Sequence, residues 1–134
     1  MLRKQTDETN PADWFAFAAE RLRGADVLWR EEGVTGLGIE ALQEAVERYL
    51  KGFLIAHGWA LVKTHDLERL VREAASFEPR FNSFASLANE LTEDFFAQHY
   101  PGEDTTNVGQ NYEVLRRSAG DLVDLIRGRL PQFF

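Results

Sequence analysis

Apolar residues recur every three to four positions along five stretches of this chain, and that spacing is the strongest constraint on its fold. Residues spaced in this way lie on one face of an α-helix, whereas a half-buried strand alternates apolar and polar residues. No stretch of the sequence alternates convincingly in that manner. The pattern therefore predicts an all-α protein. Short connections between the stretches favour an up-and-down bundle of four to five antiparallel helices.

Capping residues, prolines and glycines predict where the helices begin and end. Asn10 and Pro11 indicate the start of the first helix, and Gly33 indicates its end. Thr35 indicates the start of the second helix, which extends to about His57. The other three helices are predicted to span about 66–77, 82–98 and 109–130. The stretch "HYPGEDTTNVG" between the last two has the composition of a loop.

The second helix is expected to bury one apolar stripe and to keep its other side polar. The stripe consists of Ile39, Leu42, Val46, Tyr49, Leu50 and Phe53. The polar side consists of Glu40, Gln43, Glu44, Glu47, Arg48 and Lys51. Glu44 precedes Arg48 by four positions, as Glu47 precedes Lys51, so each pair is expected to stabilise the helix by a few tenths of a kcal/mol.

Length and composition limit the classes of protein to which the chain can belong. Its 134 residues predict one domain over 1–134, with a core from about 12 to 130. The absence of cysteine excludes disulfides and thiol chemistry. No apolar run reaches a membrane span of about 20 residues, and the polar start "MLRKQTDETNPADW" predicts a cytoplasmic protein. A net charge of −7 disfavours binding to nucleic acid.

The stretch "KTHDLERL", residues 63–70, is the first candidate site. As the start of a helix, it would place Thr64 at the cap and Asp66 in the first turn, near the positive end of the helix dipole. That interpretation explains neither Lys63 nor His65. His65 could serve as a general acid or base, although Asp66 follows it directly on the helix and would not face it. The structural and the functional interpretation both stay open.

The second candidate site is "FFAQHYPGED", residues 95–104, where an aromatic run leads into His99 and Tyr100. It is either a helix end with aromatic core residues or a shallow pocket with two polar tips.

The sequence lacks the motifs of several other kinds of functional site. The three histidines of the chain do not have the spacing that places two ligands on one helix face, so no metal site is expected. The sequence also has no glycine-rich phosphate loop and no G-x-S-x-G motif.

Four stretches in this order resemble the HEPN domain family. They are "DWFAFAAERLRGADVLW" in the first helix, "AVERYLKGFL" in the second, "KTHDLERL" at the next junction and "DFFAQHYP" before the last helix. The resemblance extends from about Asp13 to Leu130 and implies a bundle of four or five helices, commonly dimeric. One departure is His99, which stands where the family often has an arginine.

The resemblance also separates two kinds of function. Ribonuclease members of the family carry an arginine followed five to seven positions later by a histidine, and no histidine of this chain has an arginine at that distance. Lys51 precedes His57 by six positions, but lysine is a point charge and not a bidentate donor. The resemblance therefore implies a module that is not an enzyme. It implies a homodimer that is the accessory partner of a minimal nucleotidyltransferase.

A nucleotide with magnesium is the ligand that this resemblance suggests, and no other cofactor is implied. The candidate ligand-binding residues are Lys51, Lys63, His65, Asp66, His99 and Tyr100. The two lysines would meet phosphate, and His99 or Tyr100 would stack on a base.

Two alternatives remain from the sequence. One is a toxin-like HEPN ribonuclease with a degenerate active site, in which His57 would be the residue to replace. The other is a structural oligomerisation bundle in which "KTHDL" serves only as a cap. The terminal Phe133 and Phe134 are expected to pack on their own domain or on a neighbouring molecule, because two exposed phenylalanines are costly.

Overall fold

The computed structural model describes residues 5–134; the first four residues, part of the polar start noted above, lie outside the described part. The described chain forms five α-helices and no strand. The helices are α1 Pro11–Glu32, α2 Gly36–Ala56, α3 Leu67–Phe77, α4 Ala85–His99 and α5 Tyr112–Arg129. Short 3₁₀ helices, Pro79–Phe84 and Pro131–Phe133, precede α4 and follow α5. The predicted all-α bundle is confirmed. Among these described helices, none combines the length and the apolar character needed to cross a membrane.

The first two helices begin and end at the predicted residues. The side chain of Asn10 accepts a hydrogen bond from the N–H of Ala12 at the start of α1. Thr35 caps α2 in the same way, because its Oγ1 accepts from the N–H of Gly38 at 2.9 Å. Gly33 ends α1 with a φ of +76°, a conformation that glycine adopts without steric cost.

The start of α3 corrects the predicted cap. Asp66 caps α3, and its Oδ1 accepts a hydrogen bond from the N–H of Arg69 at 3.1 Å. Thr64 was predicted to fill that position, but its Oγ1 accepts from the N–H of Asp66 at 3.1 Å. The capping interpretation of "KTHDL" therefore holds, with Asp66 one residue before the helix and not within its first turn.

The helix predicted from about residue 82 begins as an α-helix only at Ala85. Residues 79–84 form a 3₁₀ helix whose start is capped by Glu78. A 3₁₀ helix has three residues per turn, so Phe81 and Phe84 point to the same side, and both are buried. The first three residues of the predicted helix, 82–84, therefore belong to the tighter helix.

Glu78 also joins this segment to the end of α5. Its Oε1 lies 2.8 Å from Nη2 of Arg80 and 3.3 Å from Nη1 of Arg129. The hydrogen bonds from Arg80 lower the pKa of Glu78 from 4.5 to about 2.

This low pKa predicts a defined loss of stability in acid. A carboxylate whose pKa is lowered by folding contributes its full stabilisation above the unfolded pKa and loses it as the pH falls through the folded value. We therefore expect the free energy of unfolding to fall between pH 4.5 and about 2, and to fall less in Glu78→Gln. Urea denaturation across this pH range measures both curves. Glu103→Gln, in the exposed loop before α5, is the control; equal slopes in the wild type and Glu78→Gln would contradict the prediction.

The last helix begins later than predicted, at Tyr112 instead of Gly109. Gly109 has a φ of +73°, which is incompatible with an α-helix. Its N–H donates to Oδ2 of Asp94 at 3.2 Å, so the loop is attached to α4 at this point. The side chain of Val34 lies close above Gly109 and leaves little room for a larger residue.

The second helix lies at the centre of the bundle and packs against all four other α-helices. Its predicted apolar stripe is fully buried. Because helices surround it, little of its surface remains for solvent, and three residues of the predicted polar side are not exposed. Gln43, Glu47 and Lys51 are buried. Helix α1 lies close to α2, since a Cβ added to Gly52 would lie 2.5 Å from Cε1 of Phe15.

The terminal phenylalanines pack on their own domain. The ring of Phe134 stacks on Phe15 of α1 with centroids 4.8 Å apart and an interplanar angle of 20°. Phe133 contacts the same ring from 6.4 Å, and the guanidinium of Arg127 lies 5.1 Å from the Phe134 centroid. Of the two interpretations of this tail, the structure supports the one in which the rings cover their own core.

Candidate functional site

A pocket of about 750 Å³ lies between α2, the start of α3 and α4. Its volume is in the usual range for small-ligand sites. Most of its polar lining is acidic. The lining residues are Glu40, Gln43, Glu44, Glu47, Arg48, His65, Asp66, Glu68, Thr92, Phe95 and Phe96.

Glu47 has two partners of opposite exposure. Its Oε2 lies 2.9 Å from Nζ of Lys51, and its Oε1 lies 2.8 Å from Nδ1 of His65. The side chains of Glu47 and Lys51 are only 10% and 5% exposed, whereas that of His65 is 84% exposed. Lys51 also lies 5.8 Å from the ring centroid of Trp14 in α1. Glu47 therefore connects a buried cation to an imidazole at the rim of the pocket.

Glu44 accepts two guanidinium groups. Its Oε2 lies 2.8 Å from Nη1 of Arg48 and 2.8 Å from Nε of Arg21 in α1. Burial by itself would raise the pKa of Glu44, but the hydrogen bonds and charges of Arg48 and Arg21 outweigh it and lower that pKa. Glu44 is therefore charged at neutral pH. It forms an ion pair with Arg48, which is the only arginine among the described lining residues.

Three other carboxylates of the lining have no ion pair with any described residue. Asp66 uses one oxygen as the cap of α3. Glu68 accepts from Nδ2 of Asn89 at 2.9 Å, and the carboxylate of Glu40 accepts no hydrogen bond from the described residues. The pocket consequently has an excess of negative charge at its rim.

Gln43 is a buried amide whose oxygen has no partner in the described part of the chain. The residue is 6% exposed and lies one helical turn before Glu47, on the same side of α2. Its Oε1 is fully buried and accepts no hydrogen bond from the described residues. An unpaired buried acceptor costs about 1–3 kcal/mol, so this atom has a marked deficit of hydrogen bonding.

The wall opposite α2 is aromatic. Phe95 and Phe96 of α4 line it, with their ring centroids 5.5 Å apart, and Phe96 is 61% exposed. His99 stacks on Phe95 at 5.0 Å, one turn further along the helix, and Tyr100 contacts His99 edge-on at 4.9 Å. This aromatic run belongs to the second candidate stretch of the sequence, and the pocket that it lines also contains residues of the first candidate stretch.

The structure brings some of the six predicted ligand-binding residues together and separates others. His65 and Asp66 line the pocket, and Lys51 lies behind it, bound to Glu47. His99 lies beyond the aromatic wall. Tyr100 is exposed at the end of α4, and Lys63 is exposed without an ion pair to any described residue. Their role in ligand binding remains a prediction.

Three residues of the pocket, Gln43, Glu47 and Glu40, were not predicted as site residues from the sequence. Gln43, Glu47 and Lys51 are spaced four apart, so they form one row along α2. This row of polar side chains is the feature of the sequence that could have indicated the site. It was assigned to the polar side of the helix, because spacing alone does not reveal that α3 and α4 cover it.

The Glu47–His65 pair has the arrangement in which a carboxylate orients an imidazole. Acid–base chemistry would also need a reacting group held within reach of the ring. His57, the residue named for the ribonuclease alternative, lies elsewhere. Its ring packs between Phe53 and Phe77, and its Nδ1 lies 2.9 Å from the carbonyl oxygen of Phe53. Within the described part of the chain, no three His, Asp or Glu side chains are grouped to hold a metal ion.

Comparison with known proteins gives one match. A family model described as HEPN domain matches residues 12–128 of the chain. Searches of curated proteins and of solved structures found no match. The matched region contains all five helices except the first residue of α1 and the last residue of α5, and it includes every residue that lines the pocket.

Proposed function

The chain belongs to the HEPN domain family, and on that premise we propose that it is a non-catalytic binding module, the accessory partner of a minimal nucleotidyltransferase. Family membership suggests a nucleotide-binding or ribonuclease-like helical module. The absence of catalysis and the identity of the partner are the parts that we propose.

One observation carries the non-catalytic part: the strong cations at the pocket are already paired with carboxylates. Arg48 and Arg21 bind Glu44, and Lys51 binds Glu47. Cleavage of a phosphodiester requires cationic donors that stabilise the developing charge on phosphate. Here the phosphate would instead face unpaired carboxylates. Direct contact between a nucleotide phosphate and this lining is disfavoured for the same reason, and Lys63, outside the pocket, is left as a candidate phosphate contact.

The proposed module acts as a homodimer. Large apolar side chains are exposed near the place where the start of α2 meets the end of α4, among them Leu37 and Tyr100. Gly36 and Gln98 are in contact there, which brings the two helix ends together. Exposed apolar patches of this kind are typical of interaction surfaces. This surface supports an assembled state, and the pocket beside it remains open to a partner.

We expect purified protein to leave labelled single-stranded and structured RNA intact, as measured by gel electrophoresis of the RNA. We expect it to co-purify with a nucleotidyltransferase-type protein from the same genome when the two are co-expressed. Light scattering of the purified protein is expected to give twice the mass of one chain. RNA cleavage that His57→Ala or His65→Ala abolishes would contradict the non-catalytic assignment. Arg117→Ala, at an exposed position on α5, is the control for these two histidine substitutions.

A further inference from the structure

We propose that the pocket between α2, α3 and α4 binds a cationic group, an ammonium or a guanidinium, carried on an apolar stem. This inference rests on the proposed binding function and names the chemistry of its ligand. Two sources offer that chemistry: a lysine or arginine side chain of a partner protein, and a free organic amine. Three features of the pocket support the same ligand class.

The first feature is the charge of the lining. Five carboxylates line the pocket against one arginine, and that arginine is held by Glu44. Glu40, Asp66 and Glu68 have no cationic partner among the described residues. Carboxylates that converge on one cavity without cations repel one another, and a bound cation would relieve that repulsion. An anionic ligand would increase it.

The second feature is the unpartnered amide oxygen of Gln43. It is an acceptor, it is buried, and it belongs to the lining of this pocket. The three unpaired carboxylates are acceptors as well. Ammonium and guanidinium groups carry several donors and no acceptor, so either can donate to the Gln43 oxygen and to a carboxylate at the same time. A phosphate brings acceptors only, and would leave the Gln43 oxygen without a partner.

The third feature is the aromatic wall. Phe95 and Phe96 lie across the pocket from the row of acceptors on α2, and Phe96 is largely exposed. Lysine and arginine bury their methylene stems along apolar surface while the charged end remains among polar groups. A cation over an aromatic face gains a further electrostatic attraction. The wall therefore fits the stem of the ligand, and the acceptors fit its end.

Isothermal titration calorimetry of the full chain tests the ligand class. The probes are agmatine, an acetylated leucine–arginine–leucine amide, the same peptide with citrulline in place of arginine, and ATP. We expect saturable binding of one cationic probe per chain, with the citrulline peptide at least about tenfold weaker than the arginine peptide, because the ligand charge is lost. Tighter binding of the arginine peptide than of agmatine would identify a protein side chain as the source, and the reverse a free amine. Binding of ATP alone, or of no cationic probe, would overturn the proposal.

Matched variants locate the binding. Gln43→Met removes the unpartnered acceptor at similar volume, and Glu40→Gln removes one unpaired charge; each is expected to weaken binding of the cationic probe about tenfold. Glu113→Gln makes the same charge change on α5, outside the pocket, and is expected to leave binding unchanged. Gln43→Met is also expected to keep or increase the melting temperature, so a loss of affinity would not reflect unfolding. Equal weakening by Glu113→Gln and Glu40→Gln would overturn the assignment to this pocket.

The outcomes separate this inference from the function on which it rests. RNA cleavage by the wild type would contradict the proposed function whatever the cation does. Intact RNA together with co-purification of the partner, but without binding of any cationic probe, would overturn only the ligand class.

Discussion

Replacing Lys51 by alanine is expected to destabilise the protein by roughly 3–5 kcal/mol, the usual cost of breaking a buried ion pair by removing one partner. The variant leaves the carboxylate of Glu47 largely buried, with the exposed imidazole of His65 as its remaining partner. It also removes the cation beside the ring of Trp14. Urea denaturation followed by circular dichroism measures the change in the free energy of unfolding.

The neighbouring ion pair on the same helix provides the control. Arg48→Ala removes a side chain that is a quarter exposed, and Glu44 keeps its contact with Arg21. We expect that variant to cost about 1 kcal/mol or less, as is usual for exposed pairs. Replacing both buried partners together, as Glu47→Leu with Lys51→Met, should recover most of the lost stability, because no charge then remains buried. If Lys51→Ala lowers the free energy of unfolding no more than Arg48→Ala does, the Glu47–Lys51 pair is not a buried ion pair that stabilises the fold.

Replacing Gly52 by alanine is expected to destabilise the protein by about 1–3 kcal/mol, as overpacking of a core usually does. The added Cβ would lie 2.5 Å from Cε1 and 2.8 Å from Cδ1 of Phe15, and 3.0 Å from Cβ of Trp14. Phe15 cannot move away easily, because it packs against Tyr49, Phe133 and Phe134. The variant therefore has to separate α1 from α2.

Gly24 is the matched control, since it lies in α1 with open space around its Cα. Gly24→Ala is expected to stabilise the protein by up to about 1 kcal/mol, because alanine has the higher helix propensity. Replacing glycine by alanine should thus change the free energy of unfolding in opposite directions in two adjacent helices. A double-mutant cycle of Gly52→Ala with Phe15→Ala should show favourable coupling, since removing the ring removes the clash. Stabilisation by Gly52→Ala would show that the two helices are further apart than the structure places them.

Local signals in the sequence predicted the fold well where one residue decides the backbone. Asn10, Thr35 and Gly33 set the ends of α1 and α2 as expected. The boundaries that failed depend on tertiary contacts. The segment 79–84 forms a 3₁₀ helix whose Phe81 and Phe84 are buried in the core, and Gly109 takes a positive φ beside Val34, so neither follows from helical spacing alone.

The candidate site could be predicted only in part, because it is assembled from three separate segments. His65 and Asp66 were predicted from their own local motif. Glu47, which lies 18 positions before His65, and Gln43 required knowledge of which helices cover α2. A helix with one neighbour has a polar face in solvent, whereas a helix with four neighbours turns part of that face into the lining of a cavity.

The stacking of Phe134 on Phe15 has a consequence for the connectivity of the chain. Phe15 lies in the second turn of α1, so the last residue of the sequence ends beside the first helix. A short linker from the end of the sequence to the residues before Asn10 could therefore join them without crossing the bundle. A circular permutant opened in the exposed loop at 101–107 would keep every packed helix pair and would exchange only the order in which the helices are synthesised.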